Sequence, residues 1–187
     1  MAYLFKIQIR GITPPVWRRL LVPENFTFSR LHNIIQVAFD WDDEHPYEFS
    51  PSGWGSSPSI GSQFEKYFGD GAEKDSEKVK LSSIFKKEKQ TFTYIYDFGD
   101  EWVHEILLEQ ITDEKIGKAF CTDGDGASPP EDCGGALDYL HFLKIIRNPK
   151  HPQHKDMMEW VGLKKGQTWE KVHAFDRAAI NELVEVM

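Results

Sequence analysis

An α+β fold is what this chain's residue pattern predicts, and three observations carry the prediction. Apolar residues alternate in twos over residues 3–10, 16–22, 91–97 and 102–111, the period of half-buried strands. Over residues 27–40, and again beyond residue 135, they recur at intervals of three and four, the period of a helix. Strands dominate before residue 112 and helices after it, so the order is not a βαβ alternation. The expected architecture is a single domain over residues 1–187. An antiparallel sheet is built from the N-terminal and central strands, with helices packed on it and a helical C-terminal third.

Each element follows from its residues. In the first strand Phe5, Ile7 and Ile9 face inward and Lys6, Gln8 and Arg10 outward. Gly11 to Pro15 turns the chain, because two prolines cannot both sit in a ladder. Residues 16–22 return as a second strand, which Pro23 ends. Phe28, Leu31, Ile34, Ile35, Ala38 and Phe39 form one helix face, with Thr27 or Ser29 as the cap. An acidic connection follows, then a short strand at Tyr47-Glu48-Phe49. Residues 50–80, rich in Gly, Ser, Pro and charge, read as a long loop, and residues 81–85 as one helical turn.

The central hairpin is given Gly99-Asp100 as a two-residue turn. That register sets Asp97 opposite Trp102, Ile95 opposite His104 and Thr93 opposite Ile106 on one polar face. Phe92, Tyr94, Tyr96, Val103 and Leu107 then face the core. Residues 116–135 read as loop. Residues 136–147 form a helix burying Leu137, Leu140, Leu143 and Ile146, with Tyr139 beside them, and residues 152–163 form another. Asp176 caps a last helix that buries Ile180, Leu183 and Val184.

Composition excludes several classes of function. The 187 residues include six Trp, six Tyr and thirteen Phe, which is not the aromatic-poor signature of disorder. No apolar stretch is long enough for a membrane span, and the N-terminal residues lack the basic and apolar regions of a signal peptide. No membrane partner and a cytoplasmic location are expected. Two cysteines do not make a disulfide framework. The net charge of −8 argues against general nucleic-acid binding. The charge is uneven, however: residues 1–40 carry five basic and two acidic side chains, so a local basic patch at Arg10, Arg18 and Arg19 remains open.

Familiar catalytic motifs fail on inspection. Gly53-Trp54-Gly55 and Gly124-Asp125-Gly126 both lack the third glycine of a dinucleotide loop. Asp123-Gly124-Asp125 starts like a calcium loop, but Ala127, Ser128 and Gly134 stand where a ligand, a glycine and a glutamate are needed. Asp97-Phe98-Gly99 matches the magnesium tripeptide of kinases without the rest of that set.

What remains is a scattered group. His45, His104, Cys121 and Cys133 are chemically suited to zinc, although eleven residues separate the cysteines. Asp97 and His104 are candidates for a carboxylate–imidazole pair, and equally for a structural hydrogen bond. In Pro129-Pro130-Glu131-Asp132-Cys133-Gly134-Gly135, two prolines stiffen the chain and two glycines open it before a helix. Such a loop either presents carboxylates or a low-pKa thiolate at the helix N-terminus, or simply leads into the helix.

These segments together resemble the plasmid pRiA4b ORF-3-like family. The resemblance rests on Ile12-Thr13-Pro14-Pro15-Val16-Trp17-Arg18-Arg19, Leu31-His32 with Ile35-Gln36, and Trp41 through His45 to Phe49. It continues in Tyr94-Ile95-Tyr96-Asp97-Phe98-Gly99-Asp100 with Trp102 and His104, in Pro129 to Gly135, and in Glu159-Trp160, Phe175-Asp176 and Asn181. It implies one α+β domain and a family found in the company of plasmids and transposable elements, but no reaction. One departure is visible. The family pattern commonly has two histidines around a single residue before Glu-Phe, and here the second position is Tyr47.

The leading expectation is a small binding module with a pocket lined by His45, Tyr47, Asp97, Asp100, Trp102, His104, Glu131 and Asp132. A metal-dependent hydrolase or nuclease is one alternative, with Glu131 or Asp132 as base. A protein-interaction accessory domain using the acidic 41–80 region is the other. Zinc is the candidate cofactor.

Overall fold

The computed structural model describes residues 1–62 and 71–184. Its strands are β1 (Ala2–Ile9), β2 (Trp17–Pro23), β3 (Tyr47–Ser50), β4 (Ile60–Gly61), β5 (Lys74–Asp75), β6 (Thr91–Tyr96), β7 (Trp102–Thr112) and β8 (Phe120–Asp125). Its helices are α1 (Phe28–Phe39), α2 (Leu81–Ile84), α3 (Gly135–Ile146), α4 (His154–Trp160), α5 (Trp169–Val172) and α6 (Arg177–Val184). The strands form one sheet in the order β5-β4-β3-β6-β7-β1-β2-β8. Every pair is antiparallel except β4 with β5. This is the expected α+β class with a helical C-terminal third. Among the described residues no helix is long and apolar enough to cross a membrane.

The core lies between one sheet face and α1. Phe5, Phe49, Phe92 and Tyr94 project from the sheet onto Phe28, Leu31, Ile35 and Phe39, all of them buried. The rings interlock edge to face: Phe28 meets Phe49 at 5.1 Å, and Phe85 meets Phe5 at 4.8 Å. Removing one such ring typically costs about 3–5 kcal/mol. Helix α1 is closed at both ends by its own sequence. Thr27 Oγ1 accepts from the Arg30 N–H at 3.3 Å. Asp40 turns left-handed (φ 59°) so that its N–H and that of Trp41 reach the last helical carbonyls.

Several of the sequence expectations need correction. The hairpin register is slipped by one residue: Tyr94 pairs with His104, Tyr96 with Trp102 and Phe92 with Ile106. The turn is five residues long, not two. Asp97 and Glu101 are both left-handed (φ 56° and 52°), and the Glu101 N–H donates to the Asp97 carbonyl at 2.7 Å. Because side chains alternate with period two, the slip carries Trp102 and His104 from the polar face into the core.

The segment read as loop after residue 116 holds β8, which pairs with β2 at the sheet edge. The long loop over residues 50–80 contains the short strands β4 and β5, while its residues 63–70 lie outside the described residues. In α3 the buried stripe is Tyr139, Phe142, Leu143, Ile145 and Ile146, and Leu137 is exposed. Leu183 is likewise exposed on α6.

Arg10, Arg18 and Arg19 do not form the basic patch that the sequence left open. Arg18 is 2% exposed. Its guanidinium donates to the carbonyls of Ala38, Trp17 and Asp125 and to Ser128 Oγ, at 2.8–2.9 Å, and lies over the rings of Phe39 and Phe175. Burial lowers its pKa to about 10, so it keeps its charge at neutral pH. Arg19 is held by Glu109 (2.6 Å) and Asp123 (2.9 Å), and Arg10 lies 3.6 Å from Glu105.

The irregular stretch after β8 is buried at Ala127, Ser128 and Pro129. No sheet ladder serves it, so its carbonyls find side chains instead. Tyr139 Oη donates to Ala127, Trp169 Nε1 to Ser128 and Trp41 Nε1 to Pro129.

Candidate functional site

Three side chains from distant parts of the chain meet where this stretch emerges. His45 precedes β3, Asp97 follows β6, and Asp132 lies just before α3. His45 Nε2 is 3.0 Å from Asp132 Oδ1 and 3.8 Å from Asp97 Oδ2. These ligand atoms all lie within 4.8 Å of one another, and among the described residues no other group of three or more His, Cys, Asp or Glu does so. Exposure grades across the group: Asp97 is 11% exposed, His45 27% and Asp132 66%.

The local sequence explains how each is held. Asp97 uses Oδ1 to accept from the Gly99 and Asp100 N–H groups at 2.8 and 3.2 Å, which leaves Oδ2 for the cluster. Its own N–H donates to the Pro46 carbonyl, tying the His45 segment to the end of β6. Asp97 and Asp132 are both left-handed (φ 56° for each), a conformation aspartate tolerates better than most residues. Asp100 Oδ2 accepts from the Gly134 N–H at 2.8 Å. Gly135 (φ 78°) sits so close to the Asp100 carbonyl that a Cβ there would overlap it. The two glycines therefore serve to dock the acidic loop against the hairpin turn.

Negative charge accumulates here without basic partners. Among the described residues, no Lys or Arg forms an ion pair with Glu44, Asp97, Asp100, Glu131, Asp132 or Asp138. Glu131 accepts from Tyr96 Oη at 2.6 Å, and that phenol in turn accepts from the Glu44 N–H. Burial, and then Glu131, raises the Tyr96 pKa, so the phenol remains a proton donor.

His45, Asp97, Asp100, Glu131 and Asp132 are thus neighbours, and the other candidates are not part of this group. Tyr47 stacks on His32 with ring centres 3.6 Å apart and shares a hydrogen bond with Ser76. Trp102 is buried beside Trp41. His104 is fully buried among Phe39, Trp41 and Tyr94. Its Nδ1–H donates to the Trp102 carbonyl at 2.9 Å, and its Nε2 has no partner. Burial lowers its pKa to about 4. Asp97 and His104 are accordingly not a pair.

Cys121 is buried on β8, where Asn181 brackets its backbone with two hydrogen bonds. Cys133 is beside the cluster, but its pKa is pushed up to about 12 by burial first and then by Asp100, Asp138 and Asp132. Of the two readings of this loop, the low-pKa thiolate is therefore not the one formed, because desolvation and three carboxylates outweigh the helix dipole. The four residues suited to zinc do not assemble.

A second network was not visible in the sequence. His32 is 2% exposed on the inner face of α1. Its Nε2 lies 2.6 Å from Asp43 Oδ1 and its Nδ1 2.8 Å from Tyr94 Oη. Gln36 fixes the protons. Its Oε1 accepts from the Asp43 N–H, so its Nε2 donates to Tyr94 Oη, and that hydroxyl must donate to His32 Nδ1. His32 then carries its proton on Nε2 and donates it to Asp43, which is about half exposed. Burial, the dominant influence, lowers the His32 pKa and favours this neutral form. His32, Asp43, His45 and the predicted site residue Tyr47 line one open cleft of about 470 Å³. The signal was present in Leu31-His32 and Ile35-Gln36, but a lone histidine on an apolar helix face reads equally as core.

Comparison with known proteins agrees with the fold. The sequence model of the plasmid pRiA4b ORF-3-like family matches residues 1–182. A Sinorhizobium fredii protein described as uncharacterized protein y4hQ is 35% identical over 160 residues, covering 84% of this chain and 79% of that protein. The crystal structure of a protein of unknown function, MM3350, from Methanosarcina mazei Go1 is similar with a TM-score of 0.77 and 34% identity over 95% of each chain.

Proposed function

The chain belongs to the plasmid pRiA4b ORF-3-like family, and from that premise, which brings a fold and no reaction, we propose that it is a binding module for a divalent cation. His45 Nε2, Asp97 Oδ2 and Asp132 Oδ1 supply the ligands. The observation that carries this reading is their convergence within 4.8 Å from three separate segments. Donor atoms about 2.1 Å from one ion sit about 3 Å apart, close to the 3.0 and 3.8 Å separations here. The unbalanced carboxylates around the cluster supply a field that a dication neutralises.

One imidazole and two carboxylates suit a first-row transition ion such as Mn²⁺ or Zn²⁺ better than Mg²⁺ or Ca²⁺. Binding is favoured over hydrolysis by the residues left over. Asp132 is a ligand, and Glu131 is engaged by the Tyr96 hydroxyl, so neither is free as a base.

Calorimetric titration of metal-stripped protein with Mn²⁺ and Zn²⁺ tests the proposal. One ion per chain is expected, with affinity falling at least tenfold in Asp132→Asn, which removes the charge and keeps a side chain suited to the left-handed backbone there. No binding at millimolar ion, or unchanged affinity in that variant, overturns it.

A further inference from the structure

We infer that Tyr96 is the positioning residue of this site: its phenol ties together the three segments that carry the ligands and so sets the geometry a cation meets. The inference rests on the cation-binding reading above. Each ligand has its chain neighbour in the tie. Tyr96 itself immediately precedes Asp97. Its Oη accepts from the N–H of Glu44, the residue before His45, at 3.1 Å. The same oxygen donates to Oε1 of Glu131, the residue before Asp132, at 2.6 Å.

The phenol is a fixed point. Tyr96 is buried at the end of β6, where it pairs with Tyr47 of β3 on one side and Trp102 of β7 on the other. Trp41 stacks on its ring at 5.1 Å, and the His45 imidazole meets it edge to face at 5.8 Å. Two of the three ligands have no such footing of their own. His45 and Asp132 both lie outside the strands and helices, and Asp132 is largely exposed. A ligand segment left loose would have to be ordered by the ion itself, at the expense of affinity.

Asp132 is held from both sides. Before it, Glu131 takes the Tyr96 proton; after it, the Gly134 N–H donates to Asp100 Oδ2 at 2.8 Å. Trp41, lying against the Tyr96 ring, donates its Nε1–H to the Pro129 carbonyl at 2.9 Å and fixes the start of the same loop. A phenol suits the task because one oxygen donates and accepts at once. Phenylalanine would keep the ring packing and lose both bonds. Groups that orient metal ligands in this way contribute about 10–100-fold to affinity.

The test is a calorimetric Mn²⁺ titration of the full chain at pH 7 in wild type, Tyr96→Phe, Glu131→Ala, Glu131→Gln and the double variant Tyr96→Phe/Glu131→Ala. Tyr96→Phe and Glu131→Ala are each expected to weaken Mn²⁺ binding by at least about tenfold. The double variant should be no more than about twofold weaker than the worse single one, because both break the same tie. Glu131→Gln removes the charge but keeps an oxygen for the phenol, so it should stay within about threefold of wild type. That rescue separates the hydrogen bond from the field of the carboxylate. Should Tyr96→Phe fail to fold, the two Glu131 variants, at a half-buried position, decide the matter alone. If Tyr96→Phe or Glu131→Ala folds and binds Mn²⁺ as wild type does, or Glu131→Gln falls as far as Glu131→Ala, the positioning inference fails while the cation reading stands. If wild type does not bind Mn²⁺ at all, both fail.

Discussion

His104 makes the stability of this protein depend on pH in a way that can be worked out beforehand. The ring is fully buried, donates one N–H to Trp102 and offers the other nitrogen to nothing. Burial lowers the pKa from 6.5 to about 4, against the smaller upward pull of the Trp102 and Tyr94 backbone. The sign follows from linkage. Above pH 6.5 the ring is neutral in both the folded and unfolded chains, and its full contribution is present. As pH falls below 6.5 the unfolded chain takes up the proton first, so stability is lost until about pH 4, where the folded ring also protonates. A fall from 6.5 to about 4 corresponds to about 3 kcal/mol, with a slope of at most about 1.4 kcal/mol per pH unit. The assay is urea unfolding of the wild type and of His104→Gln at several values between pH 7 and pH 4. Glutamine keeps a donor for the Trp102 carbonyl and does not titrate. Carboxylates cancel in the difference between the two proteins, so wild type should lose about 3 kcal/mol relative to the variant. A difference constant to within about 0.5 kcal/mol over that range would refute the assignment of a buried, neutral His104.

Two further outcomes follow from the buried polar groups. Tyr94→Phe removes the hydroxyl between Gln36 and His32 and leaves a donor and an acceptor unpaired in the core. A loss of about 2–4 kcal/mol is expected, roughly 5–15 °C in Tm, and scanning calorimetry showing less than about 2 °C would contradict the proton assignment. Cys133, with its pKa at about 12, should resist iodoacetamide in the native protein at pH 8 and react only after unfolding. Mass spectrometry finding alkylation there as fast as at a free thiol would disprove the raised pKa of this thiol beside three carboxylates.

What was legible in the sequence was what periodicity reports. The alternation of Phe5, Ile7 and Ile9 and the helical recurrence from Phe28 to Phe39 identify β1 and α1 directly, because each buries one face of a regular element. Strand β8 was hidden because an edge strand reading Phe-Cys-Thr-Asp-Gly-Asp carries no apolar alternation. The hairpin register was hidden because Asp97 and Glu101 take left-handed conformations that the Gly99-Asp100 signal does not announce. That single residue of slip decided the site as well. It moved His104 into the core, and it left His45, Asp97 and Asp132, adjacent only in space, as the group that meets. Arg18 misled for a related reason. A charge in the sequence says nothing of how many carbonyls wait for it inside.

The stretch from Ala127 to Pro129 has a consequence for how the chain can change in length. By composition, Gly-Ala-Ser-Pro-Pro is a place where insertions and deletions should be harmless. Yet Arg18, Tyr139 and Trp169, reaching in from three different elements, and Trp41, from the connection after α1, each bind an atom of these three residues. One added residue would break the correspondence at several points together and shift Glu131 and Asp132 out of step with the hairpin turn. The tolerance to indels usual for a loop is therefore absent here, and length variation among relatives should be displaced to the neighbouring connections.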